Sequence, residues 1–234
     1  MPVFMLDERL LFPPPAFAED GLLAVGGDLS VERLLLAYRS GIFPWYSEDE
    51  PLLWWSPDPR MVITPESLHV SRRLSRVLRS GRFTVTLDTC FAEVMGRCAS
   101  VPRPRQRGTW IVRDMIDAYV RLHAEGYAHS IECWQEGALC GGLYGVSLGG
   151  CFFGESMFSL QPDASKVALV RLVEQCAAWG MPLIDCQTPN PHLRRMGAFE
   201  MARARFMREL KLALEKKTRR GRWFFDNARS AAQD

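Results

Sequence analysis

Eighteen consecutive residues, Gly137 to Gly154, carry no charged side chain, and seven of them are glycine. A stretch of about 18 uncharged residues is close to the shortest that spans a bilayer as a helix. Glycine argues against a helix, because each one inside it costs about 1 kcal/mol relative to alanine. Two buried strands joined at Gly149-Gly150 fit better, since glycine there permits a tight turn.

The flanking sequence supports that reading. "RFTVTLD" alternates like a strand, with Phe83, Val85 and Leu87 on one side. Helices are expected near Cys90–Ala99 and over Asp114–Glu125, the second ended by Gly126. Strands follow near 128–135, 138–147 and 150–158. Ala164–Trp179 reads as a strong helix stopped by Gly180, and "MPLIDCQ" as a strand. A short helix over Asn190–Met196, a strand at "AFEMAR" and a helix over Arg205–Lys217 complete the run. The order from residue 83 is β-α-α-β-β-β-α-β-α-β, a mixed α/β sheet with an antiparallel meander and a parallel crossover. This order resembles the GCN5-related N-acetyltransferase fold. Residues 1–61 are rich in turns ("FPPP", "VGGDLS", "WWSPDPR") around one helix, Val31–Ser40, capped by Ser30. They read as a small N-terminal domain, with residues 62–234 forming the main one.

Seven cysteines at irregular spacing, none as C-x-x-C, argue against a zinc site or a disulfide framework. The N-terminus has early acids and prolines and no basic start, unlike a signal peptide. The expectation is a cytoplasmic protein without a membrane span. Glu155 and Asp185 lack histidines at ligand spacing, so no metal or other cofactor is expected.

The net charge of +2 argues nothing, but its distribution does. Between Glu66 and Asp88 there are no acids and five arginines: Arg72, Arg73, Arg76, Arg79 and Arg82. Between Glu93 and Asp114 there are five more: Arg97, Arg103, Arg105, Arg107 and Arg113. Arginine suits phosphate because its planar fork donates two bonds at once. Such windows fit a nucleic acid or another polyanion, and equally a solvated helix face beside a loop. Trp45, Tyr46, Trp54, Trp55 and Trp110 cluster in proline-rich loops, either as a pocket or base-stacking platform or as a seam between domains.

Two apolar strands carry polar residues. Alternation places Phe153, Glu155 and Met157 on one face, and Phe152 on the other. Asp185 and Gln187 share a side of the later strand, with Cys186 opposite. A carboxylate inside an apolar strand must be paired, or its pKa rises. Glu155, Asp185 and Gln187 are therefore expected to converge. A Cys186–His192 dyad lacks the geometry of a nucleophile and its base.

The ordered fragments "GLLAVGGDLS", "GIFPWY", "WWSPDPR", "GTWI", "HSIECW", "GGLYGV", "FGESMFS", "ASK" and "LIDCQ" resemble the bacterial leucyl/phenylalanyl-tRNA–protein transferases over about Gly21 to Phe206. The resemblance implies an enzyme that moves Leu or Phe from aminoacyl-tRNA to a protein beginning with Arg or Lys, creating an N-degron. It implies a small N-terminal domain on a GCN5-related acyltransferase-like domain, acting as a monomer without a metal. Asp185 and Gln187 would be the catalytic pair, with Glu155 in their network. Trp45, Trp110 and Phe152 would border the pocket for the aminoacyl group and terminal adenosine. Arg72, Arg73, Arg76 and Arg79 would contact the tRNA, on a helix whose family pattern is altered at Ser75.

An aminoacyl ester is already activated, so the attacking amine must chiefly be neutral and well placed. Gln187 is expected to hold it through its side-chain carbonyl, while Asp185 orients Gln187 and favours the departing proton. The final proton acceptor, water or the tRNA ribose, stays open. Two rivals share features. An acetyl-CoA-dependent N-acetyltransferase would want a glycine-bearing pyrophosphate loop where this chain has "SLQPDASK". A non-catalytic RNA-binding module accounts for the arginines but not for Glu155, Asp185 and Gln187.

Overall fold

The computed structural model describes residues 3–101 and 111–226. The N-terminal part contains β1 (Phe4–Leu6), β2 (Leu22–Gly26), α1 (Val31–Arg39), β3 (Phe43–Pro44) and β4 (Leu53–Trp55). Its sheet runs β1-β2-β4-β3. Ser30 begins α1, its hydroxyl accepting a bond from the Arg33 amide.

The larger part contains β5 (Arg60–Ile63), α2 (Arg72–Arg79), β6 (Thr84–Leu87), α3 (Phe91–Ser100) and α4 (Arg113–Ala124). Then come β7 (Ala128–Gln135), β8 (Ala138–Leu148), β9 (Cys151–Ser159) and α5 (Ala164–Ala178). β10 (Leu183–Asp185), α6 (Pro191–Arg195), β11 (Phe199–Met201) and α7 (Arg203–Leu214) complete it. The sheet order is β11-β5-β10-β9-β8-β7-β6. Only β9 and β10 pair in parallel, through the α5 crossover, and the other neighbours are antiparallel.

The uncharged stretch is the β8–β9 hairpin at the centre of this sheet, and the expected element order holds from β6 onward. Gly149 makes the turn at φ +57, where a Cβ would lie 2.5 Å from the Ala213 carbonyl oxygen. A Cβ at Gly145 would lie 2.1 Å from the Phe153 carbonyl oxygen, so only glycine fits that close approach.

Apolar residues cover both faces of the sheet. Residues of α1, α3, α4 and α7 form one cluster with Tyr144, Phe153 and Phe158. Residues of α2 and α5 form the other, with Phe152, Ile184 and Trp223. β5 was not expected from the sequence. It inserts between β10 and β11, so the expected domain change at residues 61–62 falls inside a strand. The strand expected at "MPLIDCQ" shortens to Leu183–Asp185, leaving Cys186 and Gln187 beyond it. Among the described residues, no helix is long and apolar enough to cross a membrane.

Candidate active site

β9 and β10 part company where the polar residues sit. Their pairing ends with Asp185 opposite Phe153, while β9 continues to Ser159. Against β8, Gly154 pairs with Gly145 and Ser156 with Tyr144, which leaves Glu155 as an extra residue in a bulge. A bulge breaks strict alternation and re-aims a side chain. Phe153 and Phe158 accordingly lie in one cluster, while Phe152 and Met157 lie in the other. The expectation that Met157 shares a face with Glu155 fails for this reason.

Glu155 meets three side chains. Tyr38 of α1 donates to Oε1 at 2.7 Å, and Tyr119 of α4 to Oε2 at 3.3 Å. The Gln187 side-chain amide donates from Nε2 to Oε1 at 3.1 Å. Tyr38 and Tyr119 also share a short hydroxyl–hydroxyl contact. Burial pushes the Glu155 carboxyl up to about 7, and the Asp185 charge adds to that rise; the tyrosine bonds and Arg60 oppose it. The same burial, with the Glu155 charge, raises both tyrosines well above their ordinary range, so they stay neutral donors.

Asp185 is held differently. Its carboxylate takes a two-pronged bond from Arg60, Nε to Oδ1 at 2.8 Å and Nη2 to Oδ2 at 2.6 Å, with both side chains fully buried. Arg60 also donates to the Gly41 carbonyl and lies against the Phe43 and Phe206 rings. Asp185 Oδ1 accepts the Gln187 backbone amide at 2.9 Å. Gln187 itself has φ +57, a left-handed conformation that costs about 1–3 kcal/mol for a non-glycine residue unless held. Asp185 thus anchors the turn that presents Gln187. Among the described residues, the one side-chain bond of Gln187 is that from Nε2 to Glu155.

The three residues expected to converge do so, but sequence reasoning missed Arg60, Tyr38 and Tyr119. Arg60 gave a weak signal as a cation opening the apolar run "MVI". The tyrosines gave none, since each occupies an ordinary core position of an amphipathic helix. Phe152 is fully buried in the cluster formed with α2 and α5, its ring 5.9 Å from that of Trp223. Trp45 follows β3 and is 42% exposed, with its ring 5.7 Å from Trp55. Trp110, with Arg103, Arg105 and Arg107, lies outside the described residues. Arg72, Arg73, Arg76 and Arg79 are all exposed on α2, which Leu74 anchors.

A cavity of about 590 Å³ runs between the N-terminal part and α4, beside Tyr46, Leu52 and Val112. Asp28, Glu48, Glu50, Asp114 and Asp117 also line it, with Arg113 and Arg121, so acids outnumber bases there. Glu155, Asp185 and Gln187 do not line it. Among the described residues, no group of three or more His, Cys, Asp or Glu is arranged to hold a metal ion.

Comparison with known proteins covers most of the chain. Residues 62–211 match the family described as leucyl/phenylalanyl-tRNA protein transferase, and residues 27–58 match its N-terminal domain. A leucyl/phenylalanyl-tRNA–protein transferase of Anaeromyxobacter sp. (strain Fw109-5) is 61% identical over 227 residues, 97% of each chain. One from Syntrophobacter fumaroxidans is 62% identical over 208 residues, 88% of this chain and 89% of that one. A GCN5-related N-acetyltransferase from Kribbella flavida is similar at 10% identity, with a TM-score of 0.40 over 72% of this chain and 60% of that one. The family match and the two close relatives establish that the chain belongs to the leucyl/phenylalanyl-tRNA–protein transferases and is an aminoacyltransferase.

Proposed function

We propose that this aminoacyltransferase moves Leu or Phe from aminoacyl-tRNA to the N-terminal Arg or Lys of an acceptor protein. The new peptide bond marks that protein for N-degron proteolysis. The enzyme works in the cytoplasm as a monomer, with Trp45 and Trp110 bordering the aminoacyl end and α2 contacting the tRNA. One observation carries the reading. At the point where β9 and β10 diverge, Glu155 holds the Gln187 amide through Nε2, and Asp185 with Arg60 anchors the backbone beneath.

The chemistry follows from that arrangement. The acceptor α-amine, with an ordinary pKa of about 7.7–8.0, reaches Gln187 Oε1 through an N–H. Its lone pair attacks the ester carbonyl, the new C–N bond forms, the ester C–O bond breaks, and the tRNA ribose oxygen leaves as a hydroxyl, ending with the proton that the amine gives up. The amine must then lose a proton. Asp185 is poorly suited to take it, because its carboxylate is committed to the buried Arg60 charge, whereas the donors to Glu155 are neutral. Glu155, raised to about 7, is matched to a proton transfer near neutrality and lies one hydrogen bond from Gln187. Asp185 is then a positioning residue and Glu155 the proton acceptor.

The direct test offers labelled Leu-tRNA or Phe-tRNA to the enzyme with a protein beginning with Arg. Acid-insoluble, base-stable label is the expected product, and it should be absent when the protein begins with Ala. Transfer of an acetyl group from acetyl-CoA in the parallel reaction, with no label from the RNA, would overturn the assignment.

A further inference from the structure

A second cavity, of about 350 Å³, lies on the other side of the sheet from Tyr38 and Tyr119, between α2, α5 and α6. Its cations come from separate elements: Arg73 of α2, Lys166 of α5 and Arg195 of α6. His69 and His192 complete the polar wall, above an apolar floor of Leu74 and Met196. The one carboxylate, Asp163, is bonded by Lys166 at 2.6 Å and faces Arg73 at 3.6 Å. Three full positive charges therefore meet one negative charge. His192 registers this imbalance: burial lowers its pKa, and Lys166 and Arg195 lower it further, with Asp163 alone opposing. Cations held together beside apolar walls repel one another, and a bound anion relieves that repulsion.

We propose that this cavity seats a backbone phosphate of the RNA substrate, with Arg73, Lys166, His192 and Arg195 as its ligands. The inference deepens the proposed use of aminoacyl-tRNA and rests on it. Two placements favour an RNA phosphate. Arg72, Arg76 and Arg79 extend the positive surface along the exposed side of α2, as a polyanion passing the cavity requires. His192 also lies five residues beyond Gln187, so a fully extended chain separates them by about 18 Å at most. A phosphate seated here would fix the register of the RNA relative to the acyl-transfer centre, since phosphate contacts position rather than specify.

The test compares the full chain with Arg195→Gln and His192→Gln, neither of which bonds to Arg60 or Asp185. Deacylated tRNA binding is measured between 50 and 200 mM salt, and the His192 ring is followed by NMR through a pH titration with and without inorganic phosphate. Each substitution should weaken tRNA binding, and Arg195→Gln should lower the slope of log K against log salt by about 1. Phosphate should raise the pH at which His192 titrates in the parent chain, and Arg195→Gln should abolish most of that rise. Unchanged tRNA slopes in correctly folded variants would overturn the proposal, as would a His192 ring indifferent to both phosphate and RNA. A His192 response to phosphate alone, with RNA affinity unaffected, would reassign the cavity to a free phosphate and also overturn it. If the parent chain transfers no label yet shows the Arg195-dependent slope, the transfer reading fails and the phosphate site stands.

Discussion

Glu155→Gln should make the protein more stable and nearly inactive, and the two effects share a cause. Burial holds the Glu155 carboxyl at about 7 in the folded chain, against 4.5 as its ordinary value. The folded state therefore binds the proton more tightly than the unfolded state. The sign follows: the group costs nothing below pH 4.5, and the cost grows as pH rises, levelling off above about 7. Its limit is roughly 3 kcal/mol, and at pH 5 it stays under about 1 kcal/mol. Glutamine keeps an oxygen to accept from Tyr38 and Gln187 but carries no charge to desolvate. Urea denaturation should show Glu155→Gln gaining up to about 3 kcal/mol over the parent at pH 8, a gain that shrinks towards pH 5. Turnover should fall about 10²–10⁴-fold, and the parent's rate should rise with pH through a limb near 7. A variant less stable than the parent at pH 8, or a stability difference independent of pH, would refute the desolvation argument. Turnover within a few-fold of the parent would refute the proton-acceptor role.

Three further outcomes are expected. Asp185→Asn strands the buried Arg60 charge and should cost about 3–5 kcal/mol in urea midpoint, whereas Arg60→Met combined with Asp185→Leu should cost less than the two single changes added together. Replacing Arg72, Arg76 and Arg79 together by Gln should lower the salt slope of tRNA binding by about 3 and raise KM for aminoacyl-tRNA while kcat holds, and a flat salt profile in the parent would remove the basis for a basic RNA surface. His129 is fully buried and donates from Nδ1–H to the Asp88 carboxylate at 2.8 Å, and burial lowers its pKa despite that partner. Its neutral form stabilises the fold above its ordinary value of 6.5, and that stability is lost as pH falls below it. The thermal midpoint should therefore drop between pH 7 and 5.5, with a shallower drop in His129→Gln.

Much of this architecture was legible because its signals are local. The glycine-rich uncharged stretch could satisfy its backbone only as central strands, and β8–β9 is the result. The order of helices followed from apolar periodicity and from stops such as Gly126 and Gly180. What stayed hidden depends on pairing between distant segments. β5 is four residues long and follows a proline-rich loop, so nothing local marks it as the strand between β10 and β11. The bulge at Glu155 is a relation between two strands, and one strand read alone gives only alternation. Alternation alone therefore puts Met157 on the face of Phe153, whereas the bulge turns it to the other. Glu155, Asp185 and Gln187 could be found because a polar side chain in an apolar strand is conspicuous. Their partners Tyr38 and Tyr119 could not, because a tyrosine in a helix stripe looks like any core residue.

Those hidden partners change how the two parts of the chain relate. Tyr38 comes from the first 61 residues, yet it makes the shortest bond to Glu155 and is packed against Phe153 at 5.0 Å. Arg60, at the start of β5, ties Asp185 to the Gly41 carbonyl that follows α1. The small N-terminal part is therefore built into the Glu155–Asp185–Gln187 cluster. Tyr38 holds the Glu155 pKa down against the rise that burial imposes. Tyr38→Phe should release that restraint and move the neutral-pH limb of the rate profile upward, while leaving the Arg60–Asp185 anchor and the salt slope of tRNA binding as they were. A limb that stays in place would show that Tyr38 only packs, and that the centre is tuned by the larger sheet alone.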